Sequence, residues 1–155
     1  TLATALAQNS GEIFARMKVH LTFDVEVWCG GWSDLDRRFP AAFERYCYGR
    51  SDAGDFALPK TLEILNRYGL RGIFFVEPLF SARFGRRYLA QIVDLISRAG
   101  HDIQLHLHPE WVDELPNALI PDRRSKRQHL AHYTLDEQRA LIQAGRSLLE
   151  AETGR

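Results

Sequence analysis

PKTLEILNRYGLRGIFFVEPLFSARFGRRYLAQIVDLISRAGHDIQLHLHPE, residues 59–110, carries the pattern that decides the fold. Pro59 opens the segment, and proline is favoured at the first position of a helix. Leu62, Ile64, Leu65 and Tyr68 follow as the apolar positions of that helix, and Gly69 stands where a helix ends. Ile73 to Val76 is then a short, continuously apolar strand. The same signals return in order: Leu89, Ile92, Val93, Leu95 and Ile96 on a helix, Gly100 as its stop, and Ile103 to His108 as the next strand. Helix, glycine and strand, twice over, predict parallel βαβ units.

Upstream, Lys18 to Asp24 is rich in β-branched and aromatic residues and reads as a further strand. Residues 1–16 read as a leader segment, with a helical stretch at Leu2 to Leu6. Trp28 to Asp55 is a long aromatic loop dotted with glycine, with one or two helical turns expected at Ala41 to Tyr46; a loop of that length inside a domain is usually functional or flexible. Downstream, Pro109, Pro116 and Pro121 mark another loop. A last helix starts at Thr134, with Glu137 three residues on as a capping box, and Leu135, Leu141, Ile142, Leu148 and Leu149 as its expected buried stripe. The chain then stops near Gly154, where another strand is expected. Three strands fall short of a (β/α) barrel, which usually needs about 250 residues. The expectation is therefore an α/β chain whose residues 17–155 form the N-terminal portion of a parallel-stranded (β/α) barrel; a complete small α/β domain is the alternative.

Composition narrows the function classes. Lys+Arg and Asp+Glu both number 20, so the formal charge is zero and nothing global steers the 155-residue chain toward nucleic acid or an anionic membrane. Arg123, Arg124, Lys126 and Arg127 cluster, but the run is short and has no interleaved aromatics, so it reads as a solvated loop. Two cysteines, Cys29 and Cys47, make no disulfide framework. No apolar run approaches the roughly 20 residues of a membrane-spanning helix, and Thr1 to Gly11 is no signal peptide. A cytoplasmic protein without nucleic-acid or membrane partners is expected, although a start at Thr1 rather than Met leaves the natural N-terminus open.

Chemistry-bearing residues gather at strand ends. Asp24 and Glu26 close the first strand, and alternation puts both on one face. Two carboxylates so placed repel unless a cation lies between them or one stays protonated; the bland reading is a strand end dissolving into solvent. His106 and His108 also alternate, with Leu105 and Leu107 on the opposite face, and Pro109-Glu110 follows. In parallel α/β proteins sites form at the carboxyl ends of strands, so both clusters belong to one rim. Imidazole plus carboxylate is the ligand chemistry of Zn²⁺ and similar ions. Glu77, before Pro78, ends the middle strand on the same rim, facing either substrate or solvent. Trp28, Trp32 and Trp111 flank the motifs; aromatic faces line sugar sites and also pack cores. His101 reads as structural, His20 as a core histidine, and His129 and His132 as exposed. No glycine-rich phosphate loop and no G-x-S-x-G elbow is present.

Over residues 18–111 these motifs resemble, in the same order, carbohydrate esterase family 4, the polysaccharide deacetylases. Thr22-Phe23-Asp24-Val25-Glu26 resembles the family's Thr-Phe-Asp-Asp, which in some branches is Asp-x-Asp or Asp-x-Glu. Gly72-Ile73-Phe74-Phe75-Val76 resembles its Ala-Thr-Phe-Phe-Val strand. Gly100-His101-Asp102-Ile103, leading to His106-Leu107-His108-Pro109-Glu110, resembles its Gly-His-Glu-Ile entry and His-[Ser/Thr]-x-x-His motif. The resemblance implies a (β/α) barrel and a metal-dependent removal of N-acetyl groups from a glycan or small-molecule substrate. Asp24 would be the base, Glu26 would replace the metal-binding Asp, and His106 would match the first metal histidine. Four residues after His106 stands Glu110, where most members carry the second histidine. Either His108 or Glu110 completes the site, His108 being preferred because the strand sets its direction. The implied cofactor is a divalent metal, Zn²⁺ first, with Co²⁺ or Mn²⁺ as alternatives, and Trp28, Glu77 and Trp111 would face substrate. The family's Arg-containing motif and late histidine are not identifiable and would lie beyond Arg155.

The implied reaction is attack of metal-activated water on an amide carbonyl, with Asp24 taking the proton. Two other readings stand beside it: a non-catalytic metal- or carbohydrate-binding relative, and a metal-dependent hydrolase of another linear or cyclic amide.

Overall fold

A computed structural model describes residues 18–123 and 125–154; the leader segment expected at 1–16 lies outside them. Three strands form one parallel sheet: β1 (Leu21–Val25), β4 (Gly72–Val76) and β5 (Asp102–Leu105), in the order β1-β4-β5. A two-residue hairpin, β2 (Arg50–Ser51) with β3 (Gly54–Asp55), stands apart from it. The helices are α1 (Leu35–Phe43), continued as a π turn over Glu44–Tyr48, α2 (Leu58–Arg67), the short α3 (Phe80–Phe84), α4 (Arg86–Arg98) and α5 (Leu135–Thr153). Among the described residues the sheet is open, with β1 and β5 as its edges, and no barrel closes.

The twofold helix–glycine–strand rhythm has a simple cause. Gly69 and Gly100 adopt left-handed backbone, φ 65° and 81°, ending α2 and α4 at low cost. β4 is then held between its neighbours with Phe23 opposite Phe74 and Phe74 opposite Ile103. The Phe23 and Phe74 rings stack 5.0 Å apart. Leu62 and Leu65 of α2 and Leu89, Ile92, Val93 and Ile96 of α4 are buried as their spacing requires, whereas Ile64 and Tyr68 are exposed.

One face of the sheet is covered. Leu21, Phe23, Val25, Phe74, Val76, Ile103 and Leu105 belong to the core or pack against it. Thr22, Asp24, Asp102 and Gln104, on the other face, are exposed, with Ile73 and Phe75 half-buried between them. β5 stops three residues short of its expected end at His108, but backbone bonding runs past the strand ends: His106 N–H donates to the Val76 carbonyl at 3.0 Å, and Glu77 N–H to the Val25 carbonyl at 3.0 Å. These two bonds carry register past the strand ends and align the three chain exits along one rim.

Several expectations need correcting. The loop of 28–55 contains a nine-residue helix, because Leu35, Phe39, Ala42 and Phe43 repeat at helical spacing through Pro40. Phe39 is fully buried and stacks on Phe84 at 3.8 Å. In α5 the buried stripe is Leu141, Gly145 and Leu149, which lies toward α4 and β5, with Leu148 partly buried against the core, while Leu135 and Ile142 are exposed. His20 is exposed, ahead of the sheet, and is no core histidine. The basic cluster is also not simply solvated. Arg123 donates to the Leu115 carbonyl, Lys126 pairs with Glu114, and Arg127 donates to the His132 and Asp122 carbonyls at 3.0 Å. These contacts pin the 109–133 loop. Among the described residues no helix is long and apolar enough to cross a membrane, and both cysteines are free.

Candidate metal centre

Glu26, His106 and His108 leave the ends of β1 and β5 and meet above β4. Their ligand atoms lie within 4.8 Å of one another. His106 Nε2 and His108 Nε2 are 3.0 Å apart. Glu26 Oε2 contacts His108 Nε2 and lies 3.3 Å from His106 Nε2. An imidazole nitrogen that is not protonated offers a lone pair, so two nitrogens and a carboxylate oxygen aim at one point. Tetrahedral Zn²⁺ with bonds of about 2.0–2.1 Å spaces its ligand atoms by roughly 3.3 Å. The donor set suits a divalent cation, and the His106 separations of 3.0 and 3.3 Å match that spacing, while Glu26 and His108 touch more closely.

Strand alternation explains why both imidazoles converge. Leu105 and Leu107 point the other way and reach α5, where a Cβ built on Gly145 would stand 2.7 Å from Leu107 Cδ2 and 3.1 Å from Leu105 Cδ1. Glycine at 145 lets α5 come this close, and the contact holds Leu107 between the two histidines.

The charges around the rim respond to burial and to each other. Burial raises the Glu26 pKa, but the Trp28 hydrogen bond and the His108 and His106 charges outweigh it and hold the carboxyl below its ordinary value. Burial disfavours a charged His108 ring, yet the Glu110 and Glu26 carboxylates overcome this and push it up to about 9. Glu110 is 2% exposed and sits behind His108, with Oε1 3.9 Å from Nδ1, the nitrogen turned away from Glu26. Its other oxygen, Oε2, has no hydrogen-bond partner among the described residues. Of the two residues expected to complete the metal set, His108 is the one grouped with Glu26 and His106, and Glu110 lies behind it, 3.9 Å from Nδ1.

Asp24 is exposed on the open sheet face and lines a groove of about 290 Å³ with Glu26, Tyr46, Leu58 and Thr61. Two expected substrate contacts are not available. Glu77 is fully buried, its carboxyl accepting from the backbone N–H groups of Leu79 at 2.8 Å and Phe80 at 3.3 Å. Burial, opposed by those amides, pushes it up to about 8. Trp111 is 2% exposed, edge-on to Trp32 at 4.9 Å, and offers a substrate no face. Trp28 is half-buried beside the ligands and donates its indole N–H to Glu26 Oε1 at 2.8 Å. Lys126, which sequence reasoning left in a solvated loop, places Nζ 3.9 Å from the Trp32 ring centre; only its partners in space, not its neighbours in the chain, reveal that role. His101 is buried and accepts from Gly72 N–H through Nδ1 at 3.3 Å, in keeping with a structural part. The chain matches no protein-family model, no curated protein and no solved structure.

Proposed function

We propose that this chain carries the metal-binding part of a hydrolase of the polysaccharide-deacetylase type, built on strands of a (β/α) barrel and removing an acyl group from the nitrogen of a carbohydrate or related amide. One observation carries the reading: Glu26 Oε2, His106 Nε2 and His108 Nε2 converge at the carboxyl ends of parallel strands, within 4.8 Å of each other. The motif resemblance of residues 18–111 supports the same class. Zn²⁺ suits the donor set, with Co²⁺ or Mn²⁺ as alternatives, and a cation there supplies Lewis acidity and lowers the pKa of bound water. The residues of the chain supply the rest. Glu26, His106 and His108 hold the cation from β1 and β5. Asp24 lines the groove beside Glu26 and accepts the proton at its carboxylate as the amide carbonyl is attacked. Trp28 and Trp32 form a half-buried aromatic wall next to it. The substrate is a glycan or small molecule; neither nucleic acid nor membrane is invoked.

The test starts with bound metal in wild type, Glu26→Ala and His106→Ala. About one ion per chain is expected in wild type and none in either variant. Acetate release from N-acetylated oligosaccharides is then compared between wild type and Asp24→Asn. Asn keeps the size of Asp24 but cannot take the proton, so turnover should fall by at least about 100-fold with metal retained. Metal bound without acyl release from any amide would favour a non-catalytic metal- or carbohydrate-binding relative. Release from linear or cyclic amides but not from acetylated sugars would move the substrate class. No metal after loading with Zn²⁺ or Co²⁺ would sink the reading.

A further inference from the structure

Glu26 presents two oxygens, and they have different partners. Oε2 faces both imidazoles, while Oε1 accepts the Trp28 indole N–H at 2.8 Å. An indole nitrogen is a donor only, so it engages an acceptor and cannot itself bind a cation. A free carboxylate turns about a soft, broad torsion and can offer one oxygen or two. The bond to the indole turns Oε1 toward Trp28 and leaves Oε2 facing the imidazoles. The indole is itself held. Its ring meets the His108 ring edge-on at 4.6 Å and the Trp32 ring at 6.4 Å, and Trp32 is braced by Trp111 at 4.9 Å and by Lys126 over its face.

We propose that Trp28 is a positioning residue of the metal centre: its N–H fixes Glu26 as a one-oxygen ligand. The proposal rests on the metal-centre reading above. A single carboxylate oxygen with two imidazoles favours four-coordinate geometry with one position left for water or substrate. A two-oxygen carboxylate would take that position. Trp28 thereby keeps the cation reactive while standing outside the set of atoms that bind it.

Trp28→Phe keeps an aromatic ring against His108 and Trp32 and removes only the donor. Trp28→Gln removes the ring and restores an N–H that can reach Glu26. Metal affinity is measured by competition with a chromophoric chelator, and geometry by the visible absorption of the Co²⁺ form, which is intense for four-coordinate and weak for five- or six-coordinate cobalt. Urea unfolding of the metal-free proteins reads folding separately. Trp28→Phe should bind metal about 10- to 100-fold more weakly, the usual effect of losing an outer partner, with a dimmer Co²⁺ spectrum and an unchanged urea midpoint. Trp28→Gln should recover the bright spectrum. If wild type binds one ion and Trp28→Phe matches it in affinity and spectrum, Trp28 has no positioning role. A dim spectrum in both variants, or a loss of affinity that merely follows a loss of stability, overturns it in favour of a packing role. Absence of metal in wild type defeats the metal-centre reading itself and is recognised by that first measurement.

Discussion

At Glu77 a single carboxyl carries opposed forces that can be read out. It is fully buried and accepts two backbone N–H groups, which favour its anion, yet burial prevails and raises the pKa to about 8; the nearby His108 charge works against the rise and Glu110 adds to it. In the unfolded chain the group ionises near its ordinary value of 4.5. Between about 4.5 and 8 the folded protein therefore binds the extra proton, and stability falls as pH rises. The contribution is fully present below about pH 4.5 and is lost as pH passes through about 8, at a slope of at most about 1.4 kcal/mol per pH unit. Glu77→Gln cannot ionise, but its one amide oxygen can serve only one of the two backbone donors well. Urea denaturation should find it less stable than wild type at pH 5, by about 1–3 kcal/mol for the orphaned donor, with the deficit shrinking or reversing by pH 8. A constant difference across that range would mean that Glu77 is ionised throughout.

Between elements, α5 comes close to the end of β5. Gly145 has Leu107 Cδ2 and Leu105 Cδ1 against the place a side chain would occupy. Gly145→Val puts branched bulk there and should destabilise the fold by about 1–3 kcal/mol in urea, the usual cost of overpacking. Leu107 lies between His106 and His108, so the same variant should also weaken metal binding. Thr134→Ala provides the contrast. Thr134 and Glu137 form a reciprocal cap on α5, with Thr134 N–H donating to Glu137 Oε2 at 2.8 Å. Losing it should cost about 1 kcal/mol and leave metal affinity unchanged; equal loss of affinity in both variants would show that α5 stability, not the Gly145 contact, sets the site. The capping box, both glycine stops and all three parallel strands were legible in the sequence because each is a local signal: a cap, a left-handed turn, an apolar run. The Asp24-x-Glu26 and His106-x-His108 pairs were legible for the same reason, since alternation within one strand decides their face. What escaped depends on distant partners. The α1 stripe is interrupted by Pro40, and the place of Gly145 in the buried seam depends on Leu105 and Leu107, which face it from the end of β5. Glu77 and Trp111 lay near the rim in sequence but turn into the core, and Lys126 has its partners, Glu114 and Trp32, far back along the chain.

Across the whole molecule, the sheet is covered on one face while the other exposes Thr22, Asp24, Asp102 and Gln104. Parallel sheets are usually buried on both faces, whereas among the described residues one face of β1 and β5 is left uncovered. They do not hydrogen-bond to each other; β4 separates them. Glu26 extends from β1 and His106 and His108 from β5, so a cation at their meeting point would tie the two sheet edges together across β4. Binding to the folded state alone adds stability by mass action, about 2.7 kcal/mol at 100 times the dissociation constant. For a chain of this size that corresponds to a rise in Tm of roughly 5–11 °C. The gain should also be distributed in a particular way. Amide exchange in Leu21–Val25 and Asp102–Leu105 should slow on adding Zn²⁺, while that in α2, which contributes no ligand, should slow only as far as global unfolding does. Glu26→Ala, which cuts the tie on the β1 side, should lose the Tm shift and the added protection in both strands. If Zn²⁺ protects β5 alone, or stabilises Glu26→Ala as much as wild type, the ion is held by the histidines without the carboxylate and the cross-strand tie does not exist.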